Sequence, residues 1–193
     1  VTPRGGGTGL AGGCIASEGG VVLSLAGMDK ILSIDTDNLI AHVQTGVITQ
    51  DLRQKAQARG LFYPPDPAGM DKSTIGGNAA TNAGGPSCLK YGTTKDYVLG
   101  LEAVLPSGET IFCGKRTRKG VVGYDLTGLL VGNEGTLAVI TSLILKLLPL
   151  PPKTGGLWAV FPDMQSAMQA VSKTMASGIL PCALEFMDHR CLE

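Results

Sequence analysis

Ser73-Thr74-Ile75-Gly76-Gly77-Asn78-Ala79-Ala80-Thr81-Asn82-Ala83-Gly84-Gly85 is the stretch on which the reading of this chain turns. Apart from Ile75 its side chains are small or carry a hydroxyl or an amide, so a flat ring can approach the backbone closely. Ser73, Thr74, Asn78 and Asn82 supply both donors and acceptors, which suits a heterocycle with a mixed polar edge and a polyhydroxyl tail. The same residues could equally make a polar loop that satisfies itself through asparagine turns. Tyr63-Pro64-Pro65-Asp66-Pro67-Ala68 precedes the stretch and Lys90-Tyr91-Gly92-Thr93-Thr94 follows it.

A second glycine-rich segment stands near the front of the chain, Arg4-Gly5-Gly6-Gly7-Thr8-Gly9. Glycines that take positive φ can turn successive backbone N–H groups onto one anion, and a pyrophosphate is the natural guest. Hydrogen bonds to a charged group contribute about 1.5–3 kcal/mol each, so a few convergent N–H groups anchor a diphosphate, with Arg4 adding charge and Thr8 a hydroxyl. The alternative is a merely structural turn. Gly7 to Gly12 also satisfy GxGxxG, but the dinucleotide fold needs a strand before that pattern and a helix directly after it. Gly12, Gly13, Gly19 and Gly20 break any such helix. Gly114-Lys115 is followed by Arg116, so no Walker sequence is present.

These two segments concentrate the glycine: of 28 residues, about twice the average usage of roughly 7%, eight fall within positions 5–20 and five within positions 69–85. Two backbone-rich loops are the expectation. Between and after them the pattern is strand-like at residues 21–25, 39–45, 98–105, 110–113 and 137–147, and Leu105-Pro106-Ser107-Gly108-Glu109-Thr110 has the chemistry of a hairpin turn. Thr49 is expected to cap a helix that runs to about Arg59, with Asp51 in its first turn and Gly60 as its stop. A shorter helix is expected from Asp125. From residue 157 the pattern becomes strand (157–161), helix (Asp163 as cap, with Ala167, Met168, Val171 and Met175 on one face, to Gly178) and strand (183–187). The stiff Leu148-Pro149-Leu150-Pro151-Pro152-Lys153 before it marks a domain boundary. Domains are therefore expected at 1–152 and 153–193, the second only a beginning.

Sixteen Lys and Arg balance sixteen Asp and Glu, which predicts no nucleic-acid partner. The longest apolar stretch, residues 137–150, is interrupted by Lys146 and Pro149 and is shorter than the roughly 20 residues of a membrane span. Five cysteines without CxxC spacing argue against a disulfide framework, a zinc knuckle or a thiolate-held iron–sulfur cluster, and for reduced thiols in the cytoplasm. Of the two histidines, His42 falls in an alternating strand and reads as structural, and His189 lies near the last residue. No metal site is expected within these residues.

RGGGTG, YPPDPA, TIGGNAATNAGG, KYGTT, VLGLEAVLPSGE, GYDLTGLLVGNEGTLAVIT and LKLLPLPP follow one another in this chain. In that order they resemble the FAD-linked oxidase family of the vanillyl-alcohol oxidase/PCMH type, and within it the branch formed by the flavoprotein subunit of glycolate oxidase and by D-lactate dehydrogenase. The resemblance implies an α+β fold: a PCMH-type FAD-binding domain of mixed sheets flanked by helices, followed by the start of an α+β cap domain. It implies non-covalent FAD, with the pyrophosphate on Arg4, Gly5, Gly6, Gly7, Thr8 and Gly9. Pro67, Ser73, Thr74, Gly76 and Gly77 would line the ribityl and flavin region. Asn78, Asn82 and Gly84 would approach the cofactor nearby, along with Tyr91 and Gly92 of KYGTT, and Glu134, Gly135 and Ile140 would sit at the adenosine side. Ala138 stands where such proteins often have glycine.

The implied activity is hydride transfer from a D-2-hydroxy acid, glycolate or D-lactate, to the flavin, with an iron–sulfur protein as a candidate electron acceptor. The alternatives are a non-catalytic FAD-binding subunit and a binding module for another nucleotide. By the same resemblance the base histidines, the substrate arginine and a divalent-metal set belong to a later part of the cap domain. The chain is thus expected to be a truncated form, inactive alone, that also lacks a strand–helix unit before RGGGTG, and to lie in the cytoplasm or peripheral to a membrane.

Overall fold

The computed structural model describes residues 1–117 and 119–192. Among these residues nine strands and six helices follow in chain order: β1 Thr2–Arg4, β2 Val22–Ser24, β3 Ile31–Asp35, β4 Ile40–Gln44, α1 Thr49–Gln57, β5 Leu61–Phe62, α2 Ile75–Thr81, α3 Cys88–Tyr91, β6 Val98–Val104, β7 Thr110–Gly114, α4 Leu126–Leu130, β8 Val139–Lys146, β9 Leu148–Pro149, α5 Met164–Ala176 and α6 His189–Leu192. A 3-10 turn, Thr94–Tyr97, precedes β6.

The frame is a five-stranded antiparallel sheet in the order β3-β4-β8-β6-β7. Period-two alternation builds it: Ala41 and Val43 of β4 turn inward and meet Leu145 and Leu143 of β8, which in turn lie beside Leu101 of β6. His42 and Gln44 point to the opposite face. All five inward side chains are fully buried, and burying a leucine or valine contributes about 1.5–3 kcal/mol, so this row anchors the domain. The β3–β4 turn is closed by Asp35, whose carboxylate accepts from the Asp37 and Asn38 backbone N–H groups at 3.0 and 2.9 Å. Gly108 takes φ +88° in the β6–β7 hairpin, the conformation its turn requires.

β4 and β8 are neighbours in the sheet although the chain between them includes every other element from α1 to α4. That excursion carries the second glycine-rich segment. The first lies between β1 and β2, which form a separate parallel pair. This is the mixed α+β arrangement the motifs imply, with the two glycine segments delivered from different directions.

Several local expectations change. Residues 73–85 contain a helix, α2, where a loop is expected. Thr49 does not cap α1: Ile48 holds the cap position, and the Thr49 hydroxyl instead donates to the Ser73 carbonyl at 3.0 Å. Asp125 and Asp163 do cap α4 and α5, accepting from Gly128 and Ser166 N–H at 2.8 and 2.7 Å. The strands expected at 157–161 and 183–187 do not form. A strand is completed by a neighbour's hydrogen-bonding edge, and none lies beside either segment among the described residues. On α5 only Ala167 is buried, while Met168 and Met175 are exposed.

Candidate cofactor-binding cleft

A cleft of about 420 Å³ opens between the β1–β2 loop, α2 with the segment before it, and residues 134–140. Its first wall is residues 3–14. Gly5 and Gly6 lie directly on the second glycine segment: a Cβ on Gly5 would overlap Thr74 Oγ1, and one on Gly6 would overlap the Lys72 carbonyl. Gly7 takes φ +68°, with the Arg4 guanidinium 3.0 Å from where its Cβ would stand. The backbone N–H groups of Gly6, Gly7, Thr8 and Gly9 have no protein acceptor among the described residues. They are the free donors that an anion nest requires.

The second wall is α2, and its glycines have a different cause. Gly76 sits against Thr45 at the end of β4, where any Cβ would fall inside the Thr45 hydroxyl. Helix propensity argues against two adjacent glycines by about 1 kcal/mol each; the close crossing of α2 over β4 requires the first regardless. The donors at the N-terminus of α2 are all engaged. Ile75 N–H bonds to Val47 O, Gly76 to Thr45 O, Gly77 to Thr74 Oγ1 and Asn78 to Thr74 O, at 2.8, 2.7, 3.2 and 2.8 Å. This wall therefore offers shape and small side chains, and the anion-binding capacity lies across the cleft.

The third wall packs on the C-terminal end of α2 through Gly132 N–H to Ala79 O and Glu134 N–H to Ala80 O, at 2.9 and 2.8 Å. Glu134 and Gly135 both take positive φ there. A Cβ on Gly135 would stand 2.8 Å from Pro3 Cγ, and the Glu134 carboxylate approaches Gly13. Ala138, the departure noted in the sequence, buries its methyl without leaving the cleft wall.

Behind the second wall lies a polar knot. The buried Thr49 hydroxyl meets Ser73 Oγ at 2.9 Å and accepts from Asn78 Nδ2 at 2.7 Å. One helical turn along α1, Arg53 donates to the carbonyls of Tyr63, Pro64 and Pro65 at 3.0, 2.9 and 2.9 Å, bracing the proline loop that leads into the cleft. Burial pulls the Arg53 guanidinium below its ordinary value, with the Asp66 charge opposing. Beneath the same loop, burial pushes Tyr63 well above the usual phenol range. Tyr97 is pushed up to about 12 by burial and then by the Asp96 charge.

Of the residues singled out in the sequence, the structure brings Arg4, Gly5, Gly6, Gly7, Thr8, Gly9, Pro67, Ser73, Thr74, Gly76, Gly77, Asn78, Gly84, Glu134, Gly135 and Ile140 onto the cleft wall. It does not bring Asn82, Tyr91 or Gly92 there. Asn82 ends α2 at φ +49° and accepts from Lys95 N–H at 2.9 Å. Tyr91 stacks edge-on against Phe62 at 5.5 Å, and the Asp96 carboxylate fills the space where a Gly92 side chain would be. His42 faces away from the cleft with Nε2 3.4 Å from Ser142 Oγ; burial and then the Arg116 charge lower its pKa. Among the described residues no three His, Cys, Asp or Glu side chains gather as a metal set. The sequence does not assign Thr45, Thr49 or Arg53 to the site, because their partners are distant along the chain.

Residues 1–114 match the family model described as FAD binding domain, and residues 150–193 match the one described as FAD linked oxidases, C-terminal domain. The glycolate oxidase subunit GlcD of Bacillus subtilis is 50% identical over 192 residues, covering 100% of this chain and 41% of that protein. The D-lactate dehydrogenase of Archaeoglobus fulgidus is 48% identical over 193 residues, covering 100% of this chain and 43% of the other. Among solved structures, an alkyldihydroxyacetonephosphate synthase in P1 superposes with a TM-score of 0.76 at 27% identity, over 93% of this chain and 35% of its own. The chain thus spans about two fifths of the length of these curated relatives.

Proposed function

The chain belongs to the FAD binding domain family of FAD-linked oxidases, and on that premise we propose that it is the cofactor-holding part of an enzyme that oxidises a D-2-hydroxy acid, glycolate or D-lactate, to the 2-oxo acid. The observation that carries the reading is the division of labour across the cleft, with unpartnered N–H groups on one wall and a close-packed wall of small residues on the other. Residues and ligand fit each other: among the described residues the N–H groups of Gly6, Gly7, Thr8 and Gly9 have no protein acceptor, as a diphosphate requires, and the Arg4 guanidinium stands beside Gly7.

In this assignment Gly5 to Gly9, with Arg4 and Thr8, hold the diphosphate. Pro67, Ser73, Thr74, Gly76, Gly77, Asn78 and Gly84 line the ribityl and ring side, and Glu134, Gly135 and Ile140 the adenosine side. When bound, FAD supplies the acceptor for the C2 hydrogen, taken as hydride while the substrate hydroxyl loses its proton to a base. Arg4, Cys14 and Glu134 are the ionisable side chains on the cleft wall, none of them at the ring side in this assignment. The base and the cation for the substrate carboxylate are therefore assigned to residues outside this wall, in a second unit that starts near residue 153, where the C-terminal family match supports a boundary. Electrons would pass to an iron–sulfur partner, and the protein would work in the cytoplasm or peripheral to a membrane. No helix among the described residues is long and apolar enough to cross one.

The same cleft wall would serve equally in a second reading, a flavin-holding subunit whose partner supplies the chemistry. Anaerobic titration of the full-length flavoprotein separates the two. D-lactate or glycolate is expected to bleach the visible flavin absorbance while L-lactate does not. A protein that holds FAD and is bleached by none of these acids contradicts the enzyme reading and leaves the non-catalytic one.

A further inference from the structure

The wall of small residues contains one side chain whose two ends face different surroundings. Asn78 is 3% exposed and lines the cleft. Its Nδ2 is held from behind by Thr49 Oγ1 at 2.7 Å, while its Oδ1 has no hydrogen bond among the described residues. Tyr63 Oη is the only side-chain polar atom there that is both sealed from solvent and unpartnered, so the Asn78 oxygen is not sealed. It is an acceptor available on the cleft side.

The orientation follows from the capacity of one hydroxyl. Thr49 Oγ1 has one proton and two lone pairs. The proton goes to the Ser73 carbonyl at 3.0 Å, leaving the oxygen to accept from Ser73 Oγ at 2.9 Å and from Asn78. An Asn78 amide turned the other way could be accommodated only by drawing the Thr49 proton away from the Ser73 carbonyl. Thr49 is fully buried and touches none of the cleft, and its own backbone N–H also bonds to Ser73 O at 2.9 Å.

We propose that Thr49 is a positioning residue for the cofactor: its hydroxyl fixes the Asn78 amide so that the oxygen is presented to the cleft as the acceptor for an N–H or O–H donor on the ring or ribityl side of the bound flavin nucleotide. This deepens the proposed function and rests on it. Flavin rings and ribityl chains carry such donors, whereas a diphosphate at neutral pH carries none, so the effect of Thr49 belongs to one end of the ligand only.

The test uses the full-length protein, with FAD affinity read by flavin fluorescence and ADP affinity by competition. Thr49→Val keeps the shape and removes the hydroxyl; it is expected to weaken FAD about tenfold, the worth of one hydrogen bond, while ADP affinity stays within twofold. Thr49→Ser is expected to restore FAD binding to within twofold. If Thr49→Val does not fold, Thr49→Cys, a weaker acceptor of similar size, takes its place with the same expectation. Adding Asn78→Leu to either variant should weaken FAD no further than Asn78→Leu alone, because the pair acts as one unit. Equal losses for FAD and ADP, or a lowered melting temperature with FAD affinity unchanged, would overturn the proposal and leave Thr49 as core packing alone. Failure of the unaltered protein to bind FAD would instead overturn the proposed function itself.

Discussion

The two glycine-rich segments put their glycines to different uses. In residues 5–9 Gly5 and Gly6 admit the facing segment, and the backbone, turned through positive φ at Gly7, leaves the N–H groups from Gly6 to Gly9 unbonded among the described residues. In residues 73–85 the absent side chains let a helix cross a strand end, and the N–H groups at its start are bonded within the protein. Glycine content alone signals close approach. Whether the approach is to a ligand or to the protein's own backbone is decided by where the donors go.

That contrast breaks most visibly at Gly76. Gly76→Ala forces a methyl into the Thr45 hydroxyl and should cost about 3 kcal/mol in urea unfolding. Gly9→Ala, with open space around it, should cost less than about 0.5 kcal/mol. Equal effects at the two positions would erase the distinction.

Next in size is Arg53, which braces the loop into the second wall. Arg53→Met keeps the aliphatic stem and strands three carbonyls, with an expected loss of about 2 kcal/mol. An unchanged melting temperature would show that the proline loop holds itself. Gly7→Ala comes third: a side chain at φ +68° costs about 1–2 kcal/mol, and by disturbing the nest it should weaken FAD and ADP alike. A loss for FAD alone would move the diphosphate off this loop.

The smallest effect appears only at high pH. Tyr63 and Tyr97 lie beneath the second wall with folded pKa values raised by burial, Tyr97 to about 12. A raised folded pKa gives stability that is complete below the unfolded value of about 10 and lost as pH rises towards the folded value. Melting temperature should therefore hold to about pH 9.5 and fall beyond pH 10, with the fall reduced in Tyr97→Phe. A midpoint indifferent to pH up to 12 would contradict the burial of these phenols.

The sheet was legible because alternation along residues 39–45 and 98–105 reports directly on two faces. The capping aspartates of α4 and α5 were legible because capping is local. α2 was not, since the contact that admits Gly76 is with Thr45, distant in sequence and invisible to propensity. Thr49 looked like a cap from its neighbours, yet its hydroxyl serves Ser73 and Asn78. Most of the candidate site could be read as a set of segments. What could not be read was the role of each polar group: Asn82, Tyr91 and Gly92 share the cofactor motifs but are engaged in turns and packing away from the cleft.

Amide hydrogen exchange on the full-length protein, with and without FAD, addresses the central claim most directly. The free N–H groups of Gly6, Gly7, Thr8 and Gly9 should exchange freely in the apoprotein and become strongly protected when FAD binds, while the already bonded amides at the start of α2 change little. Protection confined to α2, with the front loop exchanging as before, would contradict the assignment of the diphosphate to that loop.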